Sequence, residues 1–210
     1  MKYLLLFLLP LNLFSFDDME LQKSGSYSQE FTELSEELTK VKTLKSSFIQ
    51  KKKIKVLKRP LVSSGELIFD RSIGVHWQLI MPYKSTIVID NKKLTSIDDN
   101  GKKVTVKASE KPMLYGFTKI FMSIFAGNTD ELKKHFQIYF KADTKGWRIG
   151  LIPTSSELKK VISKIVLSGS ESTVNAITLW ESNGDQTDIS FSKISKADEL
   201  KAEDKKKFEL

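Results

Sequence analysis

The spacing of apolar residues changes near residue 48. Before that point the apolar residues recur at steps of three and four, and they are Phe31, Leu34, Leu38, Val41, Leu44 and Phe48. Such spacing is typical of one face of an amphipathic helix and predicts a helix over roughly 29–47. Ser28 or Thr32 is a suitable residue to cap its start.

Further along the chain apolar residues alternate with polar ones. The residues that share this period of two are Leu67, Phe69, Arg71, Val75, Trp77, Leu79, Ile87, Ile89, Val104 and Val106. Short alternating segments separated by turn residues predict an antiparallel sheet or barrel. Asp99-Asn100-Gly101 is a typical hairpin turn between two of the strands.

The helical period returns between Met113 and Phe125. Its apolar residues Met113, Leu114, Phe117, Ile120, Phe121, Ile124 and Phe125 cover more than one helical face. A helix of this kind must be buried or must cover something apolar. Two interpretations stand: the helix plugs the core of the sheet, or it is a lid over a ligand cavity. Gly127 ends the segment, and Asn128 to Asp130 can cap a short helix that reaches His135.

The remainder of the chain again shows the pattern of strands. Segments 137–142, 147–152, 161–167, 176–180 and 187–191 are predicted strands, and Asn183-Gly184 is a hairpin turn before the last of them. The tail from Lys196 is charged, with Phe208 as a possible anchor on the surface. We therefore expect a mostly β protein with an N-terminal helix and a helical insert.

The first sixteen residues bear on the compartment. Lys2 precedes an apolar run over 3–9 that extends to Phe14, which is shorter than the roughly 20 apolar residues of a membrane span. We interpret 1–16 as a signal peptide, with a short N-terminal anchor as the alternative. The polar segment 17–28 is expected to be a disordered lead-in, and 29–210 a single domain. The chain has no cysteine, so it offers neither a disulfide framework nor a site for lipid attachment at the mature N-terminus. A soluble periplasmic protein is the expectation.

The chain has a net charge of +8, and its basic residues are most closely spaced in one run. The basic residues of that run are Lys51, Lys52, Lys53, Lys55, Lys58 and Arg59. They fit a solvated lysine row that protects a sheet edge, or a surface for anionic lipid or an acidic partner. Export and the lack of interleaved aromatic residues argue against nucleic acid.

Catalytic chemistry has little support in this sequence. There are only two histidines, His76 and His135, with no cysteine nucleophile, no G-x-S-x-G elbow and no metal-binding spacing. His76 is in the polar phase of its strand, which predicts a surface or rim position. We expect no enzyme activity, no metal and no cofactor.

A set of apolar residues is instead the candidate binding site. The strand residues Leu67, Phe69, Val75, Trp77, Leu79, Ile87 and Ile89 share one phase, and Phe117, Ile120, Phe121, Ile124 and Phe125 of the insert are expected to face them. Arg71 continues the phase of Leu67 and Phe69 at the strand end. A buried guanidinium needs acceptors, which the backbone of a lid can supply. The alternative is an ordinary exposed arginine at a hairpin.

These residues carry a resemblance to a known family. Ser64-Gly65-Glu66-Leu67-Ile68-Phe69-Asp70-Arg71, Gly74-Val75-His76-Trp77 and the upstream Phe48-Ile49-Gln50 resemble the periplasmic lipoprotein carriers of the LolA type. The resemblance implies an unclosed antiparallel β-barrel with helices as a lid over an apolar cavity. It implies that Arg71 hydrogen-bonds the lid and keeps it closed. Ser72 departs from the proline that the family often has after this arginine.

The resemblance also implies a task. It points to a monomeric carrier that takes lipoprotein acyl chains from an inner-membrane exporter and delivers them to an outer-membrane receptor, with no nucleic-acid partner. Two alternatives remain on the same fold: a carrier of a free lipid or glycolipid, and a regulatory protein that senses mislocalised lipoproteins.

Overall fold

The computed structural model describes residues 18–22, 27–90, 92–107, 120 and 122–209. Within them, the strands are β1 (Glu20–Gln22), β2 (Thr43–Lys53), β3 (Leu61–Asp70), β4 (Gly74–Met81), β5 (Ser85–Asp90), β6 (Lys93–Ile97), β7 (Lys103–Lys107), β8 (Phe136–Asp143), β9 (Gly146–Pro153), β10 (Ile162–Ser170), β11 (Thr173–Glu181) and β12 (Gln186–Ala197). The helices are α1 (Gln29–Thr39), α2 (Thr129–Lys133), α3 (Ser156–Lys159) and α4 (Ala202–Lys205), followed by a 3-10 turn at Lys206–Phe208. Residues 120 and 122–125 are also helical.

All the strands belong to one antiparallel sheet that does not close into a barrel. Their order is β1-β8-β9-β10-β11-β12-β2-β3-β4-β5-β6-β7. The predicted fold class is therefore confirmed. β2 lies between β12 and β3, in the interior of the sheet. The interpretation of Lys51 to Lys53 as a row that protects a sheet edge is wrong, because these lysines are on a central strand.

The first helix is shorter than its apolar pattern predicts. Ser28 caps α1, and its side-chain oxygen accepts a hydrogen bond from the Phe31 amide at 3.3 Å. The helix ends at Thr39, and Leu44 and Phe48 belong to β2. A step of four residues returns to the same face of a strand as well as nearly the same face of a helix, so the spacing of these two residues fits both structures.

One face of the sheet, which we call the inner face, contains the main core. Phe48 stacks on Trp77 with ring centroids 4.0 Å apart, and Phe31 of α1 lies 5.3 Å from Phe140 of β8. Both halves of the sheet contribute to this single hydrophobic cluster, so the sheet wraps around the helices that fill it. Its fully buried large side chains include Phe31, Phe48, Phe69, Leu67, Leu151 and Val75.

The opposite face, the outer face, is partly covered by the end of the chain. Ile68, His76 and Val88 are paired across β3, β4 and β5, and all three are buried. Phe208 lies over His76 with its ring centroid 6.0 Å away. The predicted surface or rim position of His76 is wrong, because the C-terminal segment covers the polar phase of its strand. Nearby, the buried carboxylate of Asp204 pairs with Lys45 at 2.7 Å.

The lead-in contains one short element that its polarity does not predict. β1 pairs with β8 at the sheet edge, so residues 20–22 are ordered in a strand and the expectation of disorder fails there. Hydrogen bonds from Lys141, which has the larger effect, and from Arg148 lower the pKa of Asp18 to about 2. These two ion pairs hold the segment just before β1 against β8 and β9.

His76 makes the stability of this fold depend on pH. Burial lowers its pKa, and the positive charge of Lys207 adds to that effect, while Glu66 and Asp204 oppose it. The unfolded chain therefore takes up a proton near pH 6.5 that folded His76 resists, so stability falls as the pH drops below that value. We expect His76 to lower the free energy of unfolding by at most about 1.4 kcal/mol for each pH unit below this value. Urea unfolding at pH 7.5 and 5.5 measures it.

The control for this pH effect removes the titrating group. His76→Leu should reduce the loss of stability between these two pH values. If His76→Leu and the unaltered protein lose the same free energy of unfolding, His76 is not the group responsible.

Candidate functional site

The predicted apolar residues of the strands meet on the inner face. Leu67, Phe69, Val75, Trp77 and Ile89 are buried there, and the partly buried Leu79 and Ile87 pack against them. Strand pairing explains this grouping: Leu67 is opposite Trp77 and Trp77 opposite Ile87, while Phe69, Val75 and Ile89 form the next row. The cavity that these residues are predicted to line remains a prediction.

The helical insert covers one end of this apolar surface. Ile120, Ile124 and Phe125 are buried in the same cluster, and Phe117 and Phe121 lie outside the described residues. The Phe125 ring lies 6.3 Å from that of Phe69 and 5.8 Å from that of Phe191. The insert thus contacts β3 and β12 through one aromatic side chain.

Gly127 ends the insert and lets it approach α1 closely. Its φ of +60° is a left-handed conformation that favours glycine. A Cβ atom at this position would also collide with the Cβ of Leu38. The end of the insert and the end of α1 therefore meet at a contact that only glycine permits.

Arg71 joins these same segments. It follows the last residue of β3 and its side chain is exposed, but its guanidinium does not point away from the protein. Nη2 donates to the carbonyl of Ala126 at 2.9 Å, to that of Val41 at 2.9 Å and to that of Leu38 at 3.4 Å, while Nε donates to Val41 at 3.2 Å. One side chain thus ties the strand end to the helix α1, the loop after it and the insert. Partial burial of the guanidinium lowers the pKa of Arg71.

Ser72 supports the turn that carries this arginine. Its amide and hydroxyl donate to Asp70 Oδ1 at 2.8 and 2.6 Å, and the amide of Ile73 donates to the same oxygen at 3.1 Å. The Arg71 amide donates to the Lys42 carbonyl at 2.9 Å. A serine in place of the family's proline therefore fixes the turn by hydrogen bonds.

The sequence predicts acceptors for Arg71 in the backbone of the insert over 113–125 and indicates no particular carbonyl; Ala126 directly follows that segment, and the acceptors Leu38 and Val41 are not predicted at all. The expected helix over 29–47 would use the carbonyls of Leu38 and Val41 within its own backbone. Because α1 ends at Thr39, carbonyls near its C-terminus are available to a cation, whose charge also complements the helix dipole. The feature that would have indicated these acceptors is the end of α1 at Thr39. The apolar spacing does not show it, because the spacing continues through Leu44 and Phe48.

Other candidate chemistry has less support. A pocket of about 410 Å³ on the outer face is lined by charged and polar residues including Lys45, Glu66, Asp204 and Lys207, and does not suit an acyl chain. Among the described residues there is no group of His, Cys, Asp or Glu that could hold a metal ion. In the same part of the chain no helix is both long and apolar enough to cross a bilayer.

An unclosed antiparallel sheet wrapped around an apolar core, with a helical cover tied down by one arginine, defines a fold class rather than an activity. The family model of the outer membrane lipoprotein carrier protein LolA matches residues 39–209, and the chain belongs to this family.

Individual relatives agree with the family. An outer-membrane lipoprotein carrier protein from Dechloromonas aromatica (strain RCB) is 27% identical over 167 residues, which cover 79% of this chain and 76% of that one. A protein of the same name from Legionella pneumophila (strain Corby) is 29% identical over 171 residues, 80% of each chain. Among solved structures, a LolA superfamily protein from Nitrosomonas europaea aligns with a TM-score of 0.45 and 7% identity, covering 82% of this chain and 95% of that one.

Proposed function

We propose that this protein binds lipoprotein acyl chains on its inner face and carries them through the periplasm from an inner-membrane exporter to an outer-membrane receptor. The observation that carries the proposal is the way in which the end of the insert, residues 120 and 122–126, covers the inner face. We call this segment the cover. The insert packs on that face through Ile120, Ile124 and Phe125, and the exposed Arg71 adds hydrogen bonds to the carbonyls of Val41 and Ala126. Such a cover can open without breaking the sheet.

The energetics suit a reversible carrier. Each buried CH₂ group of an acyl chain contributes about 0.8 kcal/mol, so a single chain offsets both the association cost and a few broken hydrogen bonds. Loss of the cargo allows Arg71 to bind its carbonyls again. The binding residues under this proposal are the inner-face set Leu67, Phe69, Val75, Trp77, Leu79, Ile87 and Ile89, with Ile120, Ile124 and Phe125 of the insert and Arg71 as its latch.

The experiment that tests this function has two parts. Protein purified from the periplasm of its own cells is extracted, and mass spectrometry identifies any bound lipid. The delipidated protein is then titrated with a fluorescent fatty-acid analogue, with tryptophan emission, to which Trp77 contributes, as a second signal. We expect lipoprotein in the extract and saturable binding in the titration.

Each other outcome of this experiment has a definite meaning. A free phospholipid or glycolipid in the extract would replace lipoprotein as the cargo. Absence of saturable binding by folded, delipidated protein would overturn the carrier function altogether.

A further inference from the structure

One end of the sheet presents apolar side chains to solvent. We define the tip as the β2–β3 connection with the start of β3, residues 54–62, together with the end of β4 and the β4–β5 turn, residues 80–84. Within the tip Val56 is 85% exposed, Tyr83 72% and Met81 62%. Leu57, Leu61, Val62 and Ile80 are exposed as well. Exposed apolar residues that cluster in this way mark an interaction site more often than those scattered singly.

Strand register brings the two parts of the tip together. Met81 is paired with Ser64 of β3, and Ser64 is paired with Ile49 of β2. Val62 lies two residues from Ser64 and therefore on the same face as Met81. Ile49, which is also exposed, extends this outer-face row towards β2.

The same tip and the adjoining end of β2 are basic. Lys52 and Lys53 form ion pairs with Glu181 and Asp188 at 2.7 and 3.0 Å. A second set of basic residues makes no ion pair with any acidic residue in the described part of the chain, and it consists of Lys51, Lys55, Lys58, Arg59 and Lys84. Basic side chains and exposed apolar side chains are thus interspersed on one small surface.

We propose that the tip docks on the surface of an anionic phospholipid bilayer. Negative lipid headgroups attract basic segments by about 1 kcal/mol per Lys or Arg, and apolar side chains that reach into the interface add to the binding. A protein partner fits less well, because lysine is depleted at protein–protein interfaces and all but one of the unpaired cations here are lysines. Val56, the most exposed of the large apolar residues, lies within the β2–β3 connection, as expected of a side chain that enters headgroups.

The tip is remote from Arg71. Leu61 and Asp70 are at opposite ends of β3, so the two regions are separated by about 30 Å at the usual rise of a strand. Docking through the tip leaves the cover of the inner face free to move. The proposal does not depend on the carrier function, because it concerns binding to vesicles that contain no cargo.

Cosedimentation with vesicles tests the docking surface. Delipidated full-length protein is mixed with vesicles of phosphatidylcholine and phosphatidylglycerol in equal parts, and separately with phosphatidylcholine alone. We expect binding to the anionic vesicles, weaker binding at high salt, and about a tenfold or greater loss for Lys58→Glu/Arg59→Glu. The matched control Lys92→Glu/Lys145→Glu, which changes the net charge equally at the other end of the sheet, should retain most of the binding.

A neutral variant separates the apolar contribution from charge. Val56→Ser/Leu57→Ser keeps every basic residue, and we expect it to lose binding most clearly at high salt, where the electrostatic part is screened. Failure of the unaltered protein to bind anionic vesicles would overturn the proposal. An equal loss in the tip and control variants would also overturn it. Tip-dependent dimerisation without vesicles, or tip-dependent capture of an acidic protein alone, would show another occupant and overturn it too.

Discussion

Arg71→Leu is expected to bind a fluorescent acyl probe about tenfold more tightly than the unaltered protein and to release it more slowly. The closed cover is stabilised by hydrogen bonds from Arg71 to Leu38, Val41 and Ala126, and cargo must break them. Bonds from a charged donor contribute about 1.5–3 kcal/mol each when buried, but water competes with these exposed ones. A net effect of about 1.4 kcal/mol corresponds to the tenfold change.

The measurement is a titration of delipidated protein, followed by the rate at which the probe leaves for acceptor vesicles. Changes in affinity within one site mostly alter the dissociation rate, so the release rate should fall by a similar factor. Arg59→Leu makes the same chemical change at an exposed arginine in the tip and should bind the free probe normally.

A second variant disturbs the contact between the insert and α1 without changing Arg71. Gly127→Ala places a Cβ against Leu38 in a left-handed backbone conformation, so it should push the insert away from α1 without altering Arg71. We expect the same tighter binding and slower release. If both variants bind and release the probe as the unaltered protein does, Arg71 is not a latch.

The alternating pattern was sufficient to predict most of the strands. β3, β4 and β5 have one face against the core, so a period of two is directly visible in Leu67, Phe69, Val75 and Trp77. Hairpin chemistry at Asp99-Asn100-Gly101 and Asn183-Gly184 placed two of the turns correctly. These features are local, and local sequence determines them.

What failed depends on contacts between distant parts of the chain. The alternation predicts that His76 lies on the face of the sheet opposite to the core residues. It does not reveal that Phe208, from the far end of the sequence, covers His76 on that face. The run of lysines fits a sheet edge in the sequence, because nothing near it reveals that β12 pairs with β2. The end of α1 was missed because Leu44 and Phe48 satisfy both helical and strand periods. For the site, the sequence indicates Arg71 and an acceptor in the backbone of the insert, but not the carbonyls of Leu38 and Val41.

The remaining prediction concerns the aromatic centre of the inner face. Trp77→Ala is expected to lower the free energy of unfolding by about 3–5 kcal/mol, since it removes a large buried side chain and leaves a cavity. The indole stacks on Phe48 at 4.0 Å and meets the edge of Phe191 at 6.4 Å. Phe48 has little freedom to fill the space, because its ring lies against Gly65, where even a Cβ would be 2.8 Å from Phe48 Cζ.

Urea unfolding followed by circular dichroism measures this loss, with and without the acyl probe. Trp180→Ala is the matched control: Trp180 is only half-buried on β11, with the Lys164 ammonium 4.5 Å from its ring, and its loss should cost less than about 1.5 kcal/mol. If the inner face is the binding site, the probe should restore part of the stability of Trp77→Ala, because a ligand that binds only the folded state stabilises it. Equal losses for the two tryptophans would contradict the central place of Trp77 in the core. A probe that stabilises Trp180→Ala but has no effect on Trp77→Ala would show instead that the indole itself is required to hold the acyl chain.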